Sequence, residues 1–499
     1  MSEKTAKLPI LENARKIVPA SIARMYQVAP VQLKENTVVL AVANRLDPIA
    51  TDDITFVLSQ RVEYVIAPQA KIEKLILKLY GEENDSINEL LRELDSDLNN
   101  TDEIIDYEDL EHAANTTPVI RFVNLILIQS VKDRASDIHF EPFKTEFKIR
   151  CRVDGTLYEM TPPPHNLARP IISRLKVIAG LDIAESRLPQ DGRIKLNIEG
   201  RVIEFRMSTL PTQFGESVVL RVLDRSNIQL DIEEIGFPDN IRQQFLEDIQ
   251  KPNGIVIVTG PTGAGKTTTL YAALQKINHP ETKILTAEDP VEYDVEGIIQ
   301  LPIRETIGLS FSSALRSFLR QDPDIIMVGE IRDQDTAQIA IQAALTGHLV
   351  FSTLHTNDAP GAVTRLIDMD IEPYLITSTL EAVMAQRLIR AICPKCKMIY
   401  QPDDAMLALL DLERRQTNNQ PLHRGTGCKA CSHTGYSGRL ALFEYMRIND
   451  ALRSTIIQRQ PTLTLRNKAI ELGMHTLREE GIRSIFNGLT TINEVIQCT

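Results

Sequence analysis

Ile255-Val256-Ile257-Val258-Thr259 runs directly into Gly260-Pro261-Thr262-Gly263-Ala264-Gly265-Lys266-Thr267, and Thr268-Thr269-Leu270-Tyr271-Ala272-Ala273-Leu274 continues with helical character. An apolar strand entering a glycine-rich turn that opens a helix is the setting in which G-x-x-x-x-G-K-[ST] cradles phosphates. Glycines in such a turn let backbone amides curl around an anion without Cβ clashes, and the helix brings its positive N-terminal end to the same place. The expected nucleotide-binding segment is Gly260, Pro261, Thr262, Gly263, Ala264, Gly265, Lys266, Thr267 and Thr268. Lys266 would reach the β- and γ-phosphates, and the Thr267 hydroxyl would ligate Mg²⁺. A chance match in an unrelated loop would lack the strand and the helix, and both are present.

Outward from this point, apolar strands alternate with helical stretches over residues 230–390, as a parallel α/β core requires. A strand at Lys283–Ala287 meets the acidic cluster Glu288-Asp289-Pro290-Val291-Glu292. A helix is expected at Ser312–Arg320, and then Ile325-Ile326-Met327-Val328 leads into Gly329-Glu330. A carboxylate just past an apolar strand is placed to polarise a water that attacks a γ-phosphate, and that role falls to Glu330; Glu288, at another strand end, would help hold Mg²⁺ through water. Either acid alone would serve equally as a helix cap, but two in one domain with a glycine-rich loop weaken that reading. The strand Leu349–Thr353 is bracketed by His348 and His355. A lone histidine is more often structural than catalytic, yet His355 follows a strand end beside the expected γ-phosphate, where a sensor role fits.

Cys393-Pro394-Lys395-Cys396 and Cys428-Lys429-Ala430-Cys431 are paired knuckles separated by 31 residues. Four thiolates suit a closed, tetrahedral, structural Zn²⁺ site. Redox pairs or plain buried thiols are the alternatives, and a helical excursion at Asp403–Gln416 would fill the gap between the knuckles.

The flanking regions carry less chemistry. Residues 1–80 read as a small α/β unit, with helices near Pro19–Tyr26, Ile49–Leu58 and Ala70–Tyr80 and strands at Thr37–Ala43 and Val62–Ala67. A docking or spacer role suits it. Residues 81–115 hold thirteen acidic side chains against one arginine, so this segment carries the whole net charge of −12 and reads as a solvated linker. Residues 116–232 form a second α/β unit with Arg193, Arg206 and Arg221 near strand ends. Surface arginines are usually solvated charges, but three shortly before a phosphate loop could instead face a polyphosphate.

The whole chain, 499 residues with 43% hydrophobic content, has material for about three domains at ~150 residues each. No apolar run approaches the ~18 residues a membrane span needs, and the first residues lack a signal core, so a cytoplasmic protein is expected. Six cysteines, four of them in close pairs, do not form a disulfide framework. No basic stripe with interleaved aromatics appears, which disfavours a nucleic-acid partner.

The run Arg134 to Pro142, the glycine-rich loop, Ala287 to Glu292, Leu319 to Asp324, Gly329 to Arg332, and Thr346 to Asn357 together resemble the secretion ATPases of type II secretion and type IV pili. The resemblance covers roughly residues 10–499 and includes the Walker A, aspartate, Walker B and histidine boxes intact. It implies a RecA-like ATPase domain at 233–499 with a Cys₄ zinc lobe at 390–440, preceded by a PAS-like middle domain and an N-terminal docking domain. It also implies ATP, Mg²⁺ and Zn²⁺ as cofactors and a homohexameric cytoplasmic motor. Arg206 and Arg221 would reach nucleotide from the middle domain, and Arg316, Arg320 and Arg332 would complete the charge-stabilising set. The family's partners would be the cytoplasmic domain of a bitopic inner-membrane secretion protein, bound through residues 1–80, and a polytopic platform protein. The motor would thereby attach peripherally to the inner membrane. The short N-terminus, without an Arg-Leu-Gly repeat, resembles the type II secretion branch, the general secretion pathway protein E group; type IV pilus assembly is the alternative. A non-hydrolysing scaffold would be expected to lose Lys266 or Glu330, and a DNA translocase would need a basic groove that the sequence lacks.

Overall fold

The structure is a computed structural model describing residues 26–34, 37–43, 61–80, 117–198, 201–224, 231–410 and 421–499, with single positions 18, 22, 23, 51, 54 and 58. The linker expected at 81–115, and most of the helices expected at 19–26 and 49–58, lie outside the described residues. The chain divides into two compact units, Met1–Ser226 and Asn227–Thr499.

In the N-terminal region, β1 (Ala29–Lys34) pairs antiparallel with β2 (Thr37–Val42), which pairs in parallel with β3 (Arg61–Ile66); helix α1 spans Gln69–Tyr80. Strand β1 escapes sequence reading because Pro30 sits inside it beside a register shift. A proline is tolerated there because β1 is an edge strand.

The next domain lays helices α2 (Thr117–Lys132) and α3 (Ala168–Ile178) on a six-stranded antiparallel sheet. Its strands are β4 (Ala135–Pro142), β5 (Phe147–Val153), β6 (Thr156–Glu159), β7 (Gln190–Ile198), β8 (Arg201–Thr212) and β9 (Gly215–Asp224), in the order β6-β5-β4-β9-β8-β7. Strand β6, four residues long, is too short for its alternation to register in the sequence. Phe122, Ile126, Ile138, Phe140, Ile149, Ile171, Phe205 and Leu220 bury the helix-facing side. The other side is charged, and register collects its charges. Arg193 pairs with Arg206, Arg206 with Arg221, Arg221 with Asp137 and Asp137 with Arg152, one row across five strands. Directly paired residues project from the same face, so the three arginines singled out in the sequence stand side by side.

The C-terminal unit is a three-layer α/β/α domain. Strands β10 (Gly254–Thr259), β11 (Ile284–Glu288), β12 (Ile298–Pro302), β13 (Ile325–Val328), β14 (Leu349–Leu354) and β15 (Leu380–Ile392) are parallel to one another. The sheet order is β12-β11-β13-β14-β10-β15-β18. Every residue of β10, β13 and β14 is buried, as expected for parallel strands covered on both faces. Ile255 and Ile257 pack into one helical layer, Val256 and Val258 into the other. Helix α4 (Asp239–Asp248) precedes β10, α5 (Lys266–Ile277) follows it, α6 (Phe311–Phe318) precedes β13, α7 (Gln334–Leu345) precedes β14 and α8 (Ala359–Asp368) follows it. After β15 come a small hairpin of β16 (Lys397–Tyr400) and β17 (Leu422–Gly425), then β18 (Tyr436–Arg447), which returns antiparallel to β15. The excursion between the knuckles is helical only at Asp404–Ala408 among the described residues; residues 411–420 lie outside them.

Candidate functional site

The apolar strand β10 delivers the loop at 260–265 to the C-terminal edge of the parallel sheet, where open α/β sheets bind ligands. Two glycines decide the loop's shape. At Gly260 a Cβ would lie 2.5 Å from the Gln386 carbonyl oxygen, and Gly265, with φ of 86°, is the left-handed N-cap of α5. No side chain caps α5, whereas Ser310, Asp333 and Asp358 cap α6, α7 and α8. The first-turn amides of α5 are therefore open to an anion. Lys266 opens that helix and donates to the carbonyls of Gly260 (2.8 Å) and Pro261 (3.0 Å). Burial pulls its pKa down, the Glu330 carboxylate opposes this, and Arg387 reinforces it. The cradle thus fits a nucleotide's phosphates.

Glu330 stands two residues past β13, at the same sheet edge. One carboxylate oxygen pairs with Arg332 and the other lies 3.3 Å from His355 Nε2. Arg332 also reaches Asp289 at 3.4 Å and Glu305 at 3.9 Å, and its ion pair with Glu330 raises its pKa. Thr353 Oγ1 donates to the Gly329 carbonyl (2.6 Å) and Ile331 N to the Thr353 carbonyl (3.0 Å), so β14 holds the Glu330 turn in place. His348 sits apart from this cluster, with its Nδ1 2.8 Å from the Ala343 carbonyl at the end of α7.

Glu288 is placed otherwise than its strand-end position suggests. Its carboxylate is buried inside the domain and accepts hydrogen bonds from Tyr271 Oη, Thr286 Oγ1 and Gln300 Nε2. Burial and this carboxylate push the Tyr271 hydroxyl far above its ordinary pKa. The next residue, Asp289, pairs instead with Arg332, which also holds Glu330. Adjacent positions at a strand end point to opposite sides, so only one of the pair can face the loop. That alternation was the signal available in the sequence. Arg316 and Arg320 lie on α6 and just past it, exposed: Arg316 is 4.0 Å from Asp335, and Arg320 donates to the Arg316 carbonyl at 2.8 Å. Arg206 and Arg221 lie in the other compact unit, in the cross-strand row, with Arg221 Nε donating to Asp137 at 3.3 Å.

The four knuckle cysteines converge. Their Sγ atoms all lie within 4.8 Å of one another. Cys393 to Cys428 is 3.9 Å, Cys396 to Cys431 3.8 Å and Cys428 to Cys431 3.7 Å. A tetrahedron of sulfurs about 2.3 Å from a central ion has edges of about 3.8 Å. These spacings exclude disulfides and match a metal's ligand set. Burial would raise the Cys431 thiol, but the amides of Cys428 and Gly435 donate to it and pull it down to about 6.

Residues 112–497 match the model of the type II/IV secretion system protein family. The chain belongs to that family. Residues 5–86 match the MshEN domain. Among relatives, the type IV pilus assembly ATPase PilB of Myxococcus xanthus is 45% identical over 96% of this chain and 86% of that protein. The type II secretion system protein E of Dickeya dadantii is 40% identical over 100% of this chain and 99% of that protein. Among solved structures, the pilus retraction motor PilT with bound ADP aligns with a TM-score of 0.50 and 25% identity, over 75% of this chain and 96% of that one.

The cysteine geometry has a direct test. Elemental analysis of the full chain, purified without chelator, is expected to find one metal ion per chain, lost on Cys396→Ser, whose lobe should melt earlier. A metal-free parent chain would contradict the assignment.

Proposed function

We infer that this chain is the ATP-hydrolysing motor of a type II secretion system. The observation that carries this reading is the meeting, at one sheet edge, of an uncapped helix N-terminus bearing Lys266 with a Glu330 carboxylate held by Arg332 and His355. Loop amides and Lys266 bind the β- and γ-phosphates. Bound Mg²⁺, held through the Thr267 hydroxyl, would supply charge neutralisation at those phosphates. Glu330 accepts the proton of the attacking water, and His355, against the same carboxylate, registers whether the γ-phosphate is present. Glu288 fixes α5 to the acidic box from inside, while Asp289 is the acidic-box carboxylate directed at Arg332.

The arginine row of the middle domain supports a phosphate-facing role. Cationic side chains placed directly opposite one another repel, and a polyanion offsets that repulsion. In this reading Arg206 and Arg221 close on nucleotide as the motor cycles, and Arg316, Arg320 and Arg332 complete the charge set, some of them across a subunit boundary in a homohexamer. The Cys₄ lobe holds Zn²⁺ as a structural ion. Among the described residues no helix is long and apolar enough to cross a membrane. The motor is read as cytoplasmic, docked through residues 1–80 onto the cytoplasmic domain of a bitopic inner-membrane protein and working on a polytopic platform protein.

Type II secretion is favoured over pilus assembly because relatives 40–43% identical to this chain, from Dickeya dadantii, Xanthomonas campestris and Vibrio cholerae, are type II secretion system E proteins. The 45% identity to PilB keeps type IV pilus assembly as the second reading. Deleting the gene in its host separates them. Exported enzymes held in the periplasm of a still piliated cell are expected; lost pili with intact export would overturn the first reading in favour of the second. For the row, Arg206→Ala and Arg221→Ala are each expected to lower turnover at least about 10-fold with the unfolding midpoint unchanged, given the size of arginine-finger effects. Parent-like turnover in both variants would refute the role.

A further inference from the structure

Beneath the phosphate loop, β15 presents Gln386 and Arg387 on opposite sides. Gln386 braces α5: its Oε1 accepts from Thr269 Oγ1 at 2.8 Å, and a Cβ on Gly265 would fall 2.9 Å from its Nε2. Arg387 is the stranger residue. It is buried, yet its guanidinium is held by carbonyl oxygens alone. Nη2 donates to Asn357 at 2.7 Å and Nη1 to Gln386 at 3.0 Å. Among the described residues no carboxylate lies within ion-pairing distance of it. The nearby Glu444 spends its two oxygens on the amides of Ala359 (2.7 Å) and Leu477 (3.2 Å).

A buried guanidinium without a carboxylate is a costly way to fill space, and an apolar side chain of similar volume is often neutral or stabilising in its stead. Its position explains its retention. A Cβ on Gly260, the first residue of the loop, would be 3.1 Å from Nη1, so the guanidinium packs against the loop's entry. Its other arm grips Asn357, two residues beyond His355, which contacts Glu330. One side chain therefore spans the phosphate loop and the histidine-bearing turn.

We propose that Arg387 is a positioning residue for hydrolysis: it fixes the turn carrying His355 to the entry of the phosphate loop, and so holds Glu330 in register with the γ-phosphate. The proposal rests on the ATPase reading above. Because it acts through the histidine turn rather than on phosphate, its loss should fall on turnover and spare binding.

The test compares full-length parent, Arg387→Met and Arg387→Lys chains for ATP affinity, steady-state phosphate release and unfolding midpoint. Arg387→Met is expected to hold the midpoint at or above the parent value and ATP affinity within about threefold, while kcat falls at least about 10-fold. Arg387→Lys, whose ammonium can still reach one carbonyl, should recover part of kcat. A parent chain that turns over alongside an equally active Arg387→Met would overturn this inference alone. So would a kcat loss matched by equal losses of affinity or midpoint in both variants. A parent that releases no phosphate would overturn the ATPase reading and this inference together.

Discussion

The separation of Glu330 from Lys266 by one interposed strand sets the geometry on which the site depends. Strand β14 lies between β10, which ends in the phosphate loop, and β13, which leads to Glu330. With neighbouring strands about 4.8 Å apart, the two strand ends stand about 10 Å from one another. That gap leaves room for a phosphoryl group and a water between lysine and carboxylate. The interposed strand also uses its own end. It carries His355 up to Glu330, and Thr353 ties the Glu330 turn to the sheet. Parallel pairing with full burial on both faces makes this spacing rigid.

Charge at the site is arranged by the same logic. Glu330 is flanked by Arg332 and His355, both partly exposed, so its carboxylate stays reachable while being oriented. Among the described residues Glu288 is given three neutral donors and no cation, which satisfies a buried carboxylate and makes it a strut between α5 and the acidic box. Two acids that look alike in the chain thus have opposite surroundings, one partly exposed between cations and one buried among neutral donors.

Much of this was legible in the sequence. The loop, its strand and helix, the Glu330 strand and the cysteine knuckles rest on local patterns: runs of buried β-branched residues, glycines at obligatory turns and ligand spacing. What escaped was set by pairing between distant segments. The alignment of Arg193, Arg206 and Arg221 depends on the register of β7, β8 and β9. The brace formed by Gln386 and Arg387 lies more than a hundred residues from the loop it supports, on a strand that passes for a generic apolar run. Strand β1 hid behind Pro30, and the inward placement of Glu288 turned on which face a strand-end residue takes.

The central claim is that Lys266 binds the phosphates while Glu330 activates the water, across the gap that β14 creates. Measuring ATP affinity and steady-state phosphate release together, for the full chain with Glu330→Gln or Lys266→Ala, tests it most directly. The account expects Glu330→Gln to bind ATP like the parent and to lose about 10²–10⁴-fold in kcat, the span of a general base, and Lys266→Ala to lose both binding and turnover. Phosphate release by Glu330→Gln within a few-fold of the parent would contradict it.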